Sequence, residues 1–385
     1  MRRFVLMLVW SLAACATEPS VEEPGAGDPG APNIAEDVAY SFAYTPMGFA
    51  RVGMGPNGEA IVAVKFNSAI GGTAAVSASG TGGNYSVTFF ELGVAPGMAG
   101  EGGNIQITAE GTSSVRCRTI SWGGAPHLVA SVQCNAADGS LAATPFAIAF
   151  YRRTMPAPTG FPASNAYAWV TTSGTAPSGY NYNSSGVANT VPPTPPGKYL
   201  VAISNATNVN ASMMVTPYSG ALAGNVCSIV NWGTGFANVE CRDRTGALVD
   251  SAFSFSYASS GPAPSQQGGH AWFDGTSAHP TYSNALGKIE GCSPASVSGS
   301  RAGSLATIVV AGDLGPWDVS PFVRASFASS YGAAGYCKIE SLTAAGAPPM
   351  SVGTTTVRCY SATGAVIAAP RFTLTHETSD AAGPC

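Results

Sequence analysis

Charge is what this sequence has least of. Its 385 residues carry 17 Lys+Arg against 21 Asp+Glu, so 10% are charged, where an ordinary soluble domain has about 25%. The only lysines are Lys65, Lys198, Lys288 and Lys338. They are too scattered to form the clustered basic patch that phosphate binding needs, and nucleic acid is excluded as a partner. Helical periodicity is almost absent, which excludes a coiled coil. The apolar run from Phe4 to Ala14 is too short to span a bilayer. Histidine occurs four times and no CxxC occurs, so neither a zinc site nor any other metal or cofactor is expected. The G-x-S-x-G elbow, the H-E-x-x-H helix and the G-x-x-x-x-G-K-[ST] loop are all missing.

What is present begins with an export signal. Arg2 and Arg3 form a positive start, an apolar run follows, and residues 1–14 read as a signal peptide. The run ends in Leu12, Ala13, Ala14 and Cys15, which resembles the lipobox of bacterial lipoproteins. The resemblance implies cleavage before Cys15, acylation of its sulfur and amine, and a lasting membrane anchor. Ala16 after the cysteine favours the outer over the inner membrane. Residues 15–38, rich in Pro, Gly and Glu, read as a flexible tether.

An internal repeat dominates the remainder. Cys117 is followed by Trp122, Val132, Cys134, Gly139 and the alternating Phe146, Ile148 and Phe150; the same frame recurs as Cys227, Trp232, Val239, Cys241, Gly246, Phe253, Phe255 and Tyr257. A third, divergent copy runs Cys337, Leu342, Val357, Cys359, Gly364, Phe372, Leu374 and His376. Upstream, aromatic openings align as Tyr40/Phe42, Tyr167/Trp169 and His270/Trp272. Gly83, Gly197 and Gly303 then precede the alternations Tyr85/Val87/Phe89, Tyr199/Val201/Ile203 and Leu305/Thr307/Val309. Asn67-Ser68 and Asn183-Ser184 mark a shared turn. Short alternating runs between Gly, Pro, Asn and Ser predict an all-β chain of three tandem antiparallel β-sandwich-like repeats. The units are residues 39–151, 166–257 and 270–376, joined by linkers at 152–165 and 258–269 and followed by a tail at 377–385. They are expected to behave as beads on a string. This unit resembles repeats of secreted actinobacterial and myxobacterial proteins, and the resemblance implies a secreted β-rich module with no activity attached.

Nine cysteines divide as one anchor, three intra-unit pairs and a remainder of two. Disulfides are expected at Cys117–Cys134, Cys227–Cys241 and Cys337–Cys359, because export brings an oxidising compartment. Parity adds Cys292–Cys385. Closing such short loops is worth about 3 kcal/mol each in the chain-entropy model.

Candidate chemistry is sparse. Asp138, Asp243, Asp250 and Asp274 sit near turns, where Asp bonds its own backbone. His270 and His376 take repeat positions held elsewhere by aromatics, and His127 and His279 fall in loops. Trp122, Trp169, Trp232 and Trp272 are expected in the cores. Trp317, outside the repeat frame between Asp313 and Asp318 on a Gly-Pro turn, is the candidate ligand contact, its indole stacking while the carboxylates accept hydrogen bonds. The expected function is that of a membrane-anchored, non-enzymatic envelope lipoprotein with a structural, adhesive or ligand-binding role. Its partners would be the membrane through the lipid and an envelope glycan or protein. The alternative is a secreted hydrolase with its site in the divergent third unit.

Overall fold

Regular structure here is built from strands, because side chains alternate with period two between turns rich in Gly, Asn and Asp. The computed structural model describes residues 47–70, 76–93, 102–152, 165–206, 211–218, 224–258, 267–276, 278–283, 296–312, 324–330, 332, 335–345 and 351–378, all within one unit spanning 42–385. Cys15, Cys292, Cys385, Asp313, Trp317 and Asp318 lie outside the described residues, as do both linkers over most of their length.

The first group of strands is β1 (Met47–Met54), β2 (Ala60–Asn67), β3 (Val76–Thr81), β4 (Asn84–Phe89), β5 (Asn104–Ala109), β6 (Arg116–Gly123), β7 (Leu128–Asn135) and β8 (Phe146–Tyr151). They pair as β2-β1-β8-β5 and as β3-β4-β7-β6. The second group is β9 (Asn165–Val170), β10 (Asn181–Asn183), β11 (Lys198–Ala202), β12 (Ser212–Tyr218), β13 (Val226–Gly233), β14 (Phe236–Arg242) and β15 (Ala252–Ala258), ordered β10-β9-β15-β12 and β11-β14-β13. The third is β16 (Gln267–Phe273), β17 (Ala278–Ser283), β18 (Ser296–Ala302), β19 (Leu305–Gly312), β20 (Arg324–Ser330), β21 (Gly335–Ala345), β22 (Ser351–Ser361) and β23 (Phe372–Thr378), ordered β17-β16-β23-β20 and β18-β19-β22-β21. One strand order therefore recurs three times, with no counterpart of β3 among the described residues of the second group.

Local details recur with it. The bulges fall between Thr119 and Ser121, Ile229 and Asn231, and Ile339 and Ser341. The Asn67 side chain binds Phe90 O and accepts from Ala69 N; Asn183 does the same with Ser204 O and Ser185 N. Disulfides join Cys117–Cys134, Cys227–Cys241 and Cys337–Cys359, each across directly opposed residues of one hairpin. Each group has its own apolar core, containing its disulfide and residues from both of its sheet segments.

The strand pairing corrects three sequence expectations. In the third copy the alternation slips by one residue: Gly303 matches Gly82, not Gly83, with φ of 63° and 61°. Ala306 and Ile308 consequently face the core, whereas Leu305, Thr307 and Val309 do not, since a one-residue shift exchanges the two faces of a strand. The opening strand of the first group is β1, placing Phe49 opposite Ala149 as Tyr167 is placed opposite Ser256; Tyr40 and Phe42 lie outside the described residues. Finally, the groups are not separate beads. β6 joins β12 in parallel at Thr119 and Tyr218, fusing sheet segments of the first and second groups into eight strands. Gly332 N donates to Ile229 O at 3.0 Å, and Gly111 N donates to Ile339 O at 2.8 Å beside the bridge between Glu110 and Ile339. Thr119, Ile229 and Ile339 are equivalent residues, so the same strand of each group meets the next group and the third meets the first. The ring closes because a strand edge left open presents unpaired N–H and C=O groups.

Candidate functional site

The junction of the three disulfide hairpins is the most distinctive chemical environment among the described residues. One cavity of about 30 Å³ is lined by a half-cystine from each group, Cys117, Cys227 and Cys337, and by the equivalent residues Arg116, Val226 and Tyr336 that precede them. Strands β8 and β15 approach this region buried on both faces. Their inward Phe146, Ile148 and Phe150 fill the first core, while Ala147 and Ala149 pack outward with Phe49 and Met214. Small outward residues let a second layer approach.

Arg116 is 5% exposed. Its Nη1 donates to Ala362 O at 2.6 Å and its guanidinium lies 5.4 Å from the Tyr336 ring centre. Burial lowers its pKa, with Tyr336 opposing. Burial pushes the Tyr336 hydroxyl up to about 12, and its O–H donates to Ser114 O. Arg118, two residues on, is held down to about 10 by burial and by the neighbouring Arg116 charge.

Between the third and first groups the seam is polar. Arg51 grips Glu110 with Nε to Oε1 at 2.9 Å and Nη2 to Oε2 at 2.7 Å, the bidentate geometry of a strong ion pair. Lys338, fully buried, donates from Nζ to Ser113 O at 2.8 Å. Burial lowers its pKa to about 8 against the attraction of Glu110 and Glu340. Tyr360 donates to Thr112 O at 2.7 Å, so three successive carbonyls, Thr112 to Ser114, are each held by a side chain of the third group.

The other seams are aromatic. Trp122 meets Trp169, Tyr180 and Tyr218 edge-on at 6.2, 5.6 and 5.3 Å, and its indole N–H donates to Gly102 O at 2.7 Å. Trp232 meets Trp272 at 5.8 Å. All four tryptophans are half-buried; Trp122 and Trp232 pack against the cores of their own groups as expected and also meet aromatic rings of the next group. Arg51 occupies the strand position of Trp169 and Trp272: it pairs with Ala147 as they pair with Ser254 and Thr373.

Asp138, Asp243 and Asp274 bond their own turns, whereas Asp250 departs from that expectation and reaches Gly197, 53 residues away. Asp138 Oδ1 accepts from Ser140 N, Asp243 Oδ1 from Thr245 N, Asp250 Oδ1 from Gly197 N and Asp274 Oδ1 from Thr276 N, at 2.7 to 2.9 Å. His127 Nδ1 accepts from Glu91 N at 3.0 Å against the Phe90 ring. His270 and His376 fall on β16 and β23. No three His, Cys, Asp or Glu side chains among the described residues are placed to hold a metal ion. The proposed contact at Asp313, Trp317 and Asp318, the anchor at Cys15 and the Cys292–Cys385 pair fall outside the described residues.

What sequence reasoning missed was the cavity residue Arg116. Its signal was available: a cation directly beside a disulfide cysteine, where the sister copies carry Val226 and Tyr336. No family model, curated protein or solved structure matches the chain.

Proposed function

We propose that this protein is an exported, lipid-anchored envelope component whose three tandem β-sandwich repeats form one rigid scaffold for structural or multivalent binding work. The carrying observation is a threefold one. Leu141, Leu248 and Val366 occupy the same place after the second cysteine of each repeat, each bridges back to its hairpin at Asn135, Arg242 or Tyr360, and each is exposed, at 48%, 38% and 48%. A single exposed aliphatic residue carries no message, but the same one repeated on a rigid frame supplies three like contacts whose effects multiply. The disulfides fit an oxidising compartment, and the Leu12 to Cys15 segment supplies the anchor.

The test has two parts. Intact mass of the purified protein is expected to show a chain beginning at Cys15 with added acyl mass, and Cys15→Ser to leave the membrane fraction. On glycan and envelope-protein arrays, the triple variant Leu141→Ser, Leu248→Ser, Val366→Ser is expected to lose binding while melting as the parent does. Unchanged binding by that variant overturns the multivalent reading.

A further inference from the structure

The axial cavity holds a cation without a counter-charge. Arg116 Nε and Nη2 are buried with no acceptor, and so is the Nδ2 of Asn225, a residue 4% exposed that lines the same cavity. Carboxylates nearby are engaged elsewhere: Glu110 is bound by Arg51, Glu340 by Arg358, and Glu240 by Arg242 and Lys198. Arg118 adds a second positive charge beside the first. An uncompensated buried guanidinium is strongly destabilising, and unmade hydrogen bonds add to the penalty. Donors without acceptors around a cavity define a site for an anion.

We propose that this cavity is a binding site for a small monovalent anion of chloride size, gripped by Nε and Nη2 of Arg116 and by Nδ2 of Asn225. Size selects the class. A cavity of about 30 Å³ exceeds the 10 to 15 Å³ needed for one water molecule, which matches one small monatomic anion. Position gives the site a purpose. Arg116 belongs to the first repeat, Asn225 to the second, and the Ala362 carbonyl and Tyr336 ring that hold the guanidinium belong to the third. The anion therefore neutralises the charge where the ring closes, and it does so whether or not the chain is lipid-anchored.

The experiment uses the full chain. Thermal melting is followed while sodium chloride replaces sodium gluconate at constant ionic strength, and crystals grown in sodium bromide are examined for anomalous scattering. The expected results are a saturable rise in melting temperature, on the order of 2 °C at ten times the dissociation constant, and a bromide peak within hydrogen-bonding distance of Arg116. Asn225→Asp, which places a carboxylate beside the guanidinium, is expected to abolish the chloride response. Equal melting in chloride and gluconate, a cavity holding water without bromide, or an undiminished response in Asn225→Asp overturns the proposal. The bromide result on the unaltered protein decides the matter even if the variant does not fold.

Discussion

The seam between the first and second repeats and the seam between the third and first solve the same geometric problem with opposite chemistry. Both bring equivalent strands together, at Thr119 with Tyr218 and at Ile339 with Glu110. The first is sealed by Trp122 among three aromatic rings, the other by Tyr336, Lys338 and Tyr360 donating to the Ser114, Ser113 and Thr112 carbonyls beside the Arg51–Glu110 ion pair. The backbone arrangement thus determines that a seam forms, while the side chains determine how sensitive it is to pH, salt and substitution. Apolar seams gain from area removed from water; charged seams depend on every partner being present.

The largest effect expected at the charged seam comes from Glu110→Ala, which leaves Arg51 without its carboxylate and removes one of the two that attract the buried Lys338. A loss of about 3 kcal/mol, reduced from the fully buried case because Arg51 is partly exposed, is expected in chemical denaturation. The double variant Arg51→Met, Glu110→Met should recover most of it; equal losses in single and double variants would break the contrast between the seams.

A pH titration is the next probe. Lys338 has a folded pKa of about 8, below its ordinary 10.5, so between these values the unfolded chain binds more protons. Stability is therefore expected to rise as pH increases from 8 towards 10, by about 2 kcal/mol. Above pH 10 the raised Tyr336 pKa of about 12 acts in the opposite sense, because the unfolded tyrosine ionises first. Lys338→Met should flatten the rise, measured by denaturant unfolding across that window, and a parent protein with no rise would remove the buried-lysine argument.

The smallest effect is a difference within the aromatic seams. Trp122→Ala should cost more than Trp122→Phe, which keeps a ring among the three aromatic partners, by about 1 kcal/mol. Both should shift one cooperative transition of the whole ring, seen by calorimetry. Three separately moving transitions would restore independent beads.

Much of the fold was legible because it is local. The hairpin Arg116–Asn135 has its cysteines, its Trp122 and its alternation within one short stretch, and period-two patterning with turn chemistry is readable at that range. The third copy is harder to align because two adjacent glycines, Gly82 and Gly83, both offer a match for Gly303, and only the strand pairing distinguishes them. Ala147, Ala149, Ser254 and Ser256 alternate with the core aromatics, and such small residues in outward positions allow the second face of each strand to be covered as well. Of the candidate site, the half-cystines are legible and Arg116 only in part: a cation beside Cys117 stands out, but the bond that places it ends in the third repeat.

By itself the amino-acid order determined three disulfide-closed hairpins, the alternating strands around them and the turns after them, held by Asp138, Asp243 and Ser361, all set by interactions among near neighbours in the chain. Only the tertiary structure decided that the repeats close into a ring, that Trp122 and Trp232 seal seams, and that Arg116 stands uncompensated on the axis. The physical reason is distance along the chain. The closing bonds from Tyr360 to Thr112 and from Arg116 to Ala362 join the third repeat to the first, end on backbone carbonyls that every residue possesses, and therefore leave no pattern of side chains to read.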